Sequence, residues 1–271
     1  MKTDKAIGVF DSGLGGLTVL KHLVKMMPEE NFVYFGDTAR VPYGSRPDET
    51  IIKYARQDCA FLMEKGVKMI VIACGTVSAV AGEILAAECG VPVYEIVKAG
   101  AKKAALMTKT GKIGVIGTAA TIRNHSHKKA LLKINPDFEV IEQPCPLFVP
   151  LVENGFQDKD NPVTRAAIEY SLGIFKENPP DVLILGCTHY PLLSGAVAQY
   201  LPQIGLIDPG EPLAVSVRSL LEKSNALNMR GGEVSCFASD RTNDFEKFAR
   251  AAMDGTELTC GEAGNIESYK L

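Results

Sequence analysis

Short apolar runs alternate along the chain with longer segments in which apolar and polar residues repeat at helical spacing. Three runs rich in β-branched and aromatic residues predict buried strands at 7–10, 31–35 and 68–73. Three amphipathic or alanine-rich segments predict helices at 17–27, 49–65 and 78–88. Continuous apolar strands with helices between them are typical of a parallel sheet that is covered on both faces. The pattern therefore predicts a doubly wound α/β fold.

Two strand-and-turn segments of the first half recur later in the chain. Residues 7–12 resemble 113–118, and residues 69–76 resemble 182–189. Both copies of the second segment place a cysteine directly after the strand. We therefore expect two pseudo-symmetric, doubly wound lobes with mainly parallel sheets. Because ligands of open α/β sheets bind at the carboxyl ends of the strands, the active site is expected in the cleft between the lobes.

We place the first lobe boundary near residues 97–98, and a Pro-Gly turn signal ends the second lobe near residue 207. One lobe is expected to contain residues 1–98 plus 208–271, and the other residues 99–207. The tail predicts a helix, a short strand at 234–238 and a second helix. Such a tail is too short to bury a core alone, so we expect it to pack back on the first lobe.

The composition is that of an ordinary globular protein. Of the 271 residues, 46% are hydrophobic and 23% are charged, and the net charge is −3. This balance excludes a whole-protein basic footprint for nucleic acid. No apolar run approaches the roughly 18 residues that a membrane span needs, and the chain enters its first strand without a secretory signal. We expect a cytoplasmic protein with no membrane or nucleic-acid partner.

Seven cysteines are spread along the chain without a CxxC pair. Neither a zinc knuckle nor a thioredoxin-type motif is present, so free thiols are expected in a reducing compartment. His125 and His127 form an H-x-H pair without an apparent third ligand. We expect both on the surface at a polar helix start, and we expect no metal site. Five cysteines are expected to pack without chemistry: Cys59, Cys89, Cys145, Cys236 and Cys260.

Polar clusters follow the first two predicted strands. The turn 11–16 (DSGLGG) contains glycines that allow backbone N–H groups to point at an anion at the start of the next helix. It is neither a GxGxxG nor a Walker A motif, so it gives little support to a dinucleotide site. The loop 36–44 offers Asp37, Tyr43 and the backbone of Gly44 to a ligand.

Cys74 and Cys187 each end a predicted strand and precede a predicted helix. The partial positive charge of a helix N-terminus favours a thiolate, and Thr76 and Thr188 follow as hydroxyl donors. Two thiols that approach one cleft from opposite lobes suit proton transfer. One can remove a proton from a carbon stereocentre while the other delivers a proton to the opposite face. Acyl transfer by Cys187 with the nearby His189 stays open at this point.

These residues lie in motifs that resemble the glutamate racemases of the cofactor-independent aspartate/glutamate racemase superfamily. The resemblance spans residues 7–191 in the order that the family shows. Six segments carry it: DSGLGGL at 11–17, the loop GDTARVPYG at 36–44, ACGT at 73–76, GTAAT at 117–121, PLVE at 150–153 and GCTHYP at 186–191.

The resemblance implies an isomerase that interconverts L- and D-glutamate by two-base proton transfer, without a cofactor or metal. Its product would supply peptidoglycan, and hence cell-wall biogenesis and cell shape. By the family pattern, Cys74 deprotonates D-glutamate with help from Asp11. Cys187 deprotonates L-glutamate with help from His189 and Glu153, and a homodimer is expected by the same analogy. The predicted substrate contacts are Asp11, Ser12, Asp37, Tyr43, Gly44, Gly75, Thr76, Thr118, Thr121, Thr188 and His189.

The chain departs from the family pattern at three positions. Gly75 stands where asparagine is usual, so an amide that would contact the substrate is lost. We expect altered affinity or enantiomer balance, with the chemistry retained. Ala120 replaces a glycine, and His127 stands where tyrosine is common. Family members gated by a cell-wall precursor tend to carry an N-terminal extension, and little chain precedes the first strand here, so no such activator is expected.

Two other functions stay open from the sequence. One is another reaction of the superfamily, such as an aspartate racemase or a decarboxylase, although a decarboxylase needs only one cysteine. The other is a non-catalytic binding protein on this fold, with Gly75 as the mark of lost catalysis. The joint presence of Asp11, Cys74, Cys187 and His189 favours a racemase. Deuterium incorporation at the substrate Cα separates these functions.

Overall fold

The computed structural model describes residues 4–240, 243–253 and 255–271. The strands of this part of the chain are β1 (Ile7–Asp11), β2 (Phe32–Gly36), β3 (Met69–Ile72), β4 (Val93–Glu95), β5 (Lys112–Gly117), β6 (Glu139–Pro144), β7 (Val182–Leu185), β8 (Gly205–Ile207), β9 (Val234–Ala238) and β10 (Thr259–Glu262).

Helices connect the strands. They are α1 (Leu17–Met26), α2 (Asp48–Glu64), α3 (Gly75–Glu88), α4 (Ile96–Met107), α5 (Ala119–Arg123), α6 (Ser126–Ile134), α7 (Phe148–Glu153), α8 (Pro162–Leu172), α9 (Ile174–Glu177), α10 (Ser194–Tyr200), α11 (Gly210–Lys223) and α12 (Asn243–Ala252). Short 3₁₀ turns lie at Thr38–Arg40, Tyr190–Leu193 and Ile266–Ser268.

The strands form two sheets, and four neighbouring strands of the larger sheet follow the same order as the smaller sheet. The six-stranded sheet runs β10-β9-β2-β1-β3-β4, and the four-stranded sheet runs β6-β5-β7-β8. All pairings among the described strands are parallel. The order β2-β1-β3-β4 recurs as β6-β5-β7-β8, so the repeated sequence segments occupy equivalent strands. The predicted fold class is confirmed, and we call the halves around the two sheets the first and second lobes.

The C-terminal part of the chain returns to the first lobe. Strand β9 lies where the sequence predicts it and pairs with β2, and β10 extends the same sheet. Strand β10 was not predicted, because its sequence TCGE lacks an apolar run. The expected lobe boundaries near residues 98 and 207 stay a prediction.

Helices cover both faces of each sheet. In the first lobe, α1, α11 and α12 pack on one face and α2 and α3 on the other. In the second lobe, α4 and α6 cover one face, and α7, α8 and α10 cover the other. Burial on both faces explains why the central strands are continuous apolar runs. Among the described residues, no helix is long and apolar enough to cross a membrane.

Two expectations about local structure differ from the observed structure. Helix α3 begins at Gly75, three residues before the predicted start, because the Cys74 side chain caps it. The surface position expected for His127 is wrong. His127 is 1% exposed, since α6 turns this residue inward against Gly186, whereas His125 is exposed as expected.

Candidate active site

The carboxyl ends of strands from both sheets surround one cavity of about 340 Å³. The first lobe contributes the residues after β1, β2 and β3, and the second lobe contributes those after β5, β6 and β7 together with α7. The predicted site residues that line it are Ser12, Tyr43, Gly44, Cys74, Gly75, Thr76, Thr118, Glu153, Cys187, Thr188 and His189. A larger groove of about 840 Å³ among α3, α4 and α6 contains none of the predicted site residues. The distribution of predicted site residues therefore favours the smaller cavity as the active site.

Cys74 lies at the N-terminus of α3 and caps the helix with its own sulfur. Its Sγ accepts a hydrogen bond from the backbone N–H of Val77 at 3.5 Å and donates one to Oγ of Ser12 at 3.4 Å. Burial, together with the negative charge of Asp11, raises the pKa of the Cys74 thiol to about 12. At neutral pH Cys74 is therefore a protonated thiol that can donate a proton.

Asp11 lies behind the cavity wall, between the two halves of the site. Its Oδ2 accepts a hydrogen bond from the backbone N–H of Gly13 at 2.9 Å, and its Oδ1 accepts one from the Thr188 hydroxyl at 3.3 Å. Burial raises the pKa of Asp11, against the opposing charge of His189. Among the described contacts, no hydrogen bond joins Asp11 to Cys74. Asp11 therefore acts on that thiol through its charge.

His189 lies between Cys187 and Glu153. Its Nδ1 is 3.9 Å from Sγ of Cys187, and its Nε2 is 3.3 Å from Oε1 of Glu153. The contact between Nε2 and Glu153 is an ion pair. Nε2 makes no hydrogen bond within the described part of the chain. Burial lowers the pKa of His189, but Cys187 and Glu153 outweigh it and raise the pKa to about 10. At neutral pH the ring is an imidazolium, so a positive charge lies beside the sulfur of Cys187.

Threonine hydroxyls form a short chain across the cavity wall. Oγ1 of Thr76 lies 2.9 Å from Oγ1 of Thr118, which lies 3.0 Å from Oγ1 of Thr121. Thr118 also caps α5 by accepting from the backbone N–H of Thr121 at 3.4 Å. Thr76 and Thr118 line the cavity, whereas Thr121 lies behind them. Thr121 therefore orients a hydroxyl of the site, rather than meeting a ligand as expected.

Asp37 lies behind the cavity wall, contrary to the expected ligand contact. The Tyr43 hydroxyl donates a short hydrogen bond to Asp37, and Nε of Arg40 donates to the same carboxylate at 2.6 Å. Ser239 donates to it at 2.7 Å, and Nη2 of Arg40 binds Asp58 at 2.9 Å. These buried groups satisfy one another, as buried charges require. Tyr43 lines the cavity, but its hydroxyl is committed to Asp37, so the network holds the loop after β2.

Cys145 lies on the cavity wall, although the sequence analysis expects it to pack without chemistry. It directly follows β6 and is fully buried. Burial and the nearby Cys187 raise the pKa of the Cys145 thiol to about 12. The side chain therefore forms a neutral part of the wall.

The cavity brings a protonated thiol and a sulfur–imidazolium pair together from opposite lobes, with hydroxyl groups between them. Such a set suits proton transfer on a small ligand that carries carboxylates. Among the described residues, no group of three or more His, Cys, Asp or Glu side chains could hold a metal ion.

Comparison with known proteins identifies the family. The model of the Asp/Glu/Hydantoin racemase family matches residues 7–217. Glutamate racemase of Geobacter metallireducens is 43% identical over 240 residues, which are 88% of this chain and 85% of the relative. Glutamate racemase of Chlorobaculum parvum is 45% identical over 256 residues, which are 93% of each chain. A crystal structure of glutamate racemase from Francisella tularensis in complex with D-glutamate has a TM-score of 0.91 and 35% identity, and the match covers 98% of this chain and 100% of that chain.

The chain belongs to the Asp/Glu/Hydantoin racemase family. Its fold and its relatives are those of an amino-acid isomerase. Within the family, its activity is that of a glutamate racemase.

Proposed function

We propose that this protein racemises glutamate with Cys74 and Cys187 as its two acid–base groups. The observation that carries the proposal is that both cysteines line one cavity of about 340 Å³ from different lobes. Their partners differ, with Ser12 beside Cys74 and His189 beside Cys187. This asymmetry supports two sulfurs with distinct acid–base roles, which is what a two-base racemase needs.

In the L-to-D direction, the Cys187 thiolate removes the α-proton of L-glutamate. The S–H bond forms as the Cα–H bond breaks, and the electron pair stays on the substrate. Cys74 then donates its proton to the opposite face of Cα, so D-glutamate forms and Cys74 becomes a thiolate. The D-to-L direction uses the same groups with exchanged roles, as microscopic reversibility requires.

The polar lining supports a dicarboxylate substrate. The hydroxyls of Ser12, Thr76, Thr118 and Thr188 are available as donors, and the backbone of Gly44 lies at the same wall. Donors fixed at the α-carboxylate lower the energy of the carbanion-like transition state, because they are already oriented where negative charge develops. The D-glutamate complex of the Francisella tularensis relative supports glutamate as the substrate.

We propose four further properties, of which the cytoplasmic location rests on the sequence pattern and the other three on the family resemblance. The D-glutamate product feeds peptidoglycan synthesis, the protein works in the cytoplasm without a cofactor or metal, and two copies form a homodimer. Light scattering of the purified protein tests the dimer. Full activity after dialysis against a chelator tests the independence from metal.

The test of the proposed function uses Cys74→Ser and Cys187→Ser, with Cys236→Ser as the control because Cys236 is buried in β9 away from the cavity. Each single site variant should lose inversion of glutamate by about a thousandfold or more, as removal of an acid–base group does. In D₂O, Cys187→Ser should still exchange the α-proton of D-glutamate, and Cys74→Ser that of L-glutamate. Wild-type protein that exchanges neither enantiomer of glutamate, or that acts on aspartate instead, contradicts the proposal.

A further inference from the structure

Tyr34 is a buried phenol near the active site that the proposed chemistry does not use. It lies in β2 beside Val9 of β1, and its side chain is fully buried in the core of the first lobe. Its hydroxyl donates a hydrogen bond to the carbonyl of Gly13, in the turn after β1, at 2.7 Å. Burial, together with the charge of Asp11, raises the pKa of the Tyr34 phenol well above its usual value. The hydroxyl therefore stays protonated and remains a donor.

Gly13 is held at both its N–H and its carbonyl. The N–H donates to Oδ2 of Asp11 at 2.9 Å, while the carbonyl accepts from Tyr34. The carbonyl oxygen also lies against Gly36, where an added Cβ would overlap it. Because a buried carbonyl that loses its donor is costly, these contacts favour one conformation of the turn after β1.

Ser12 lies in this turn between Asp11 and Gly13. Its Oγ accepts the hydrogen bond of the Cys74 thiol at 3.4 Å. Burial and the charge of Asp11 raise the pKa of Cys74, whereas the hydrogen bond with Ser12 lowers it. Ser12 therefore favours the thiolate that Cys74 becomes after it has donated its proton. The place of the Ser12 hydroxyl thus matters for the proton transfer at this sulfur.

We propose that Tyr34 is a positioning residue for the proton transfer at Cys74, because it fixes the turn that holds Ser12 against the sulfur. Tyr34 is not among the described residues that line the cavity, so it acts through Gly13 and Ser12. The other sulfur has a separate partner in His189. The inference rests on the proposed two-thiol function and deepens it, since it assigns Tyr34 to one of the two proton transfers.

An effect at one thiol has a kinetic signature that general damage to the fold lacks. Every turnover includes the transfer at Cys74, so a slower transfer there limits the rate in both directions. Cys74 removes the deuteron of α-deuterated D-glutamate, so the isotope effect on kcat/KM for this substrate should rise. Cys187 removes the deuteron of α-deuterated L-glutamate in a step that no longer limits the rate, so that isotope effect should fall. Loss of folded protein, or an equal loss of affinity for both enantiomers, changes neither isotope effect.

The experiment measures both isotope effects for Tyr34→Phe, with α-deuterated L-glutamate and D-glutamate as probes. The variant should lower kcat/KM about fivefold to twentyfold in both directions, while the isotope effect rises for D-glutamate and falls for L-glutamate. Tyr269→Phe is the matched control, because the Tyr269 hydroxyl also donates to a backbone carbonyl, that of Ala263 at 3.2 Å. Tyr269 packs on Phe61 of α2, outside the described cavity wall. The control should keep kcat/KM within about twofold of wild type and leave both isotope effects unchanged.

A double-mutant cycle with Ser12→Ala tests the route by which Tyr34 acts. Ser12→Ala removes the hydroxyl that Tyr34 positions, so it should show the same opposite changes in the two isotope effects. In that background, Tyr34→Phe should cost little further activity, although it should still lower the free energy of unfolding. Additive losses of activity would overturn the proposal. Unchanged isotope effects in Ser12→Ala would overturn it as well, whether or not Tyr34→Phe folds.

The outcomes separate this inference from the function on which it rests. Wild-type and Tyr269→Phe protein that do not racemise glutamate refute the proposed function. If both racemise and Tyr34→Phe matches them in rate and in isotope effects, the function stands and the positioning role of Tyr34 is wrong. A slower Tyr34→Phe with unchanged isotope effects has the same meaning.

Discussion

Nδ1 of His189 lies 3.9 Å from the sulfur of Cys187, and Nε2 of the same ring lies 3.3 Å from Glu153. The imidazole beside Cys187 is therefore itself held by a carboxylate. Cys74 has a different environment, in which Ser12 and the first turn of α3 are its hydrogen-bond partners. The two sulfurs thus lie in unequal surroundings.

Glu153→Gln should lower the pKa of His189 from about 10, because one of the two groups that raise it loses its charge. Glu153 is 40% exposed, so solvent screens the pair, and we expect kcat for L-glutamate to fall about twofold to fivefold. The alkaline limb of the kcat profile should move to lower pH. The control is Glu169→Gln on the exposed face of α8. An unchanged pH profile would show that Glu153 does not support the imidazolium.

The kcat and KM values must be read separately in that experiment. L- and D-glutamate are enantiomers of equal free energy in water, so the equilibrium constant is one. The ratio kcat/KM is therefore the same in both directions for every variant. Asymmetry between the two thiols can appear only in kcat and KM taken singly, or in isotope exchange.

Tyr43→Phe should reduce stability more than activity. The Tyr43 hydroxyl donates to Asp37 and lies 3.2 Å from Asp58, so its loss removes a buried hydrogen bond to a charged group and should cost about 1–3 kcal/mol of unfolding free energy. KM for glutamate should stay within about twofold, since a committed hydroxyl makes no ligand contact. Chemical denaturation and steady-state kinetics give the two quantities.

Tyr54→Phe is the matched control for that variant. The Tyr54 ring lies 5.4 Å from the Tyr43 ring, and its hydroxyl makes no hydrogen bond within the described part of the chain. This change should leave unfolding free energy almost unaltered. A large rise in KM for Tyr43→Phe, without loss of stability, would indicate that the Tyr43 hydroxyl contacts the substrate.

His127 should make the protein sensitive to acid. Burial lowers the pKa of His127 from 6.5 to about 4, and neither ring nitrogen has a hydrogen-bond partner among the described residues. The unfolded chain therefore binds a proton before the folded one does, so stability present above pH 6.5 is lost as pH falls toward 4. The loss from this one group is about 3 kcal/mol.

His127→Phe removes the titrating group and keeps a ring of similar shape. Unfolding free energies measured by denaturant at several pH values should therefore fall less steeply for the variant than for wild type over this acid range. Parallel pH profiles for the two proteins would mean that His127 is not buried as a neutral ring.

The sequence predicted the parts of the site that follow directly from strand ends. Cys74 and Cys187 were recognisable because each comes after a continuous apolar run, and the carboxyl ends of parallel strands must meet a cleft. The recurrence of two strand-and-turn segments likewise predicted two similar lobes. The assignment of catalytic and binding roles stays a prediction, now supported by a shared cavity.

The sequence could not predict contacts between residues that are distant along the chain. Asp37 and Tyr43 lie in a polar loop whose sequence predicts ligand contacts. In the structure, both belong to a buried hydrogen-bond network with Arg40 and Asp58. His127 reads as a surface residue because its neighbours are polar, yet tertiary packing places it under Gly186.

The most direct test of two opposed thiols is the isotope content of both glutamate enantiomers during the first few per cent of reaction in D₂O. Wild-type enzyme should convert L-glutamate into D-glutamate that carries deuterium at Cα, while the remaining L-glutamate keeps its protium. When the reaction starts from D-glutamate, the L-glutamate that forms should carry deuterium at Cα, while the remaining D-glutamate keeps its protium. D-glutamate that retains the substrate's own protium, or equal early labelling of both pools, would mean that one group serves both faces and would contradict the account.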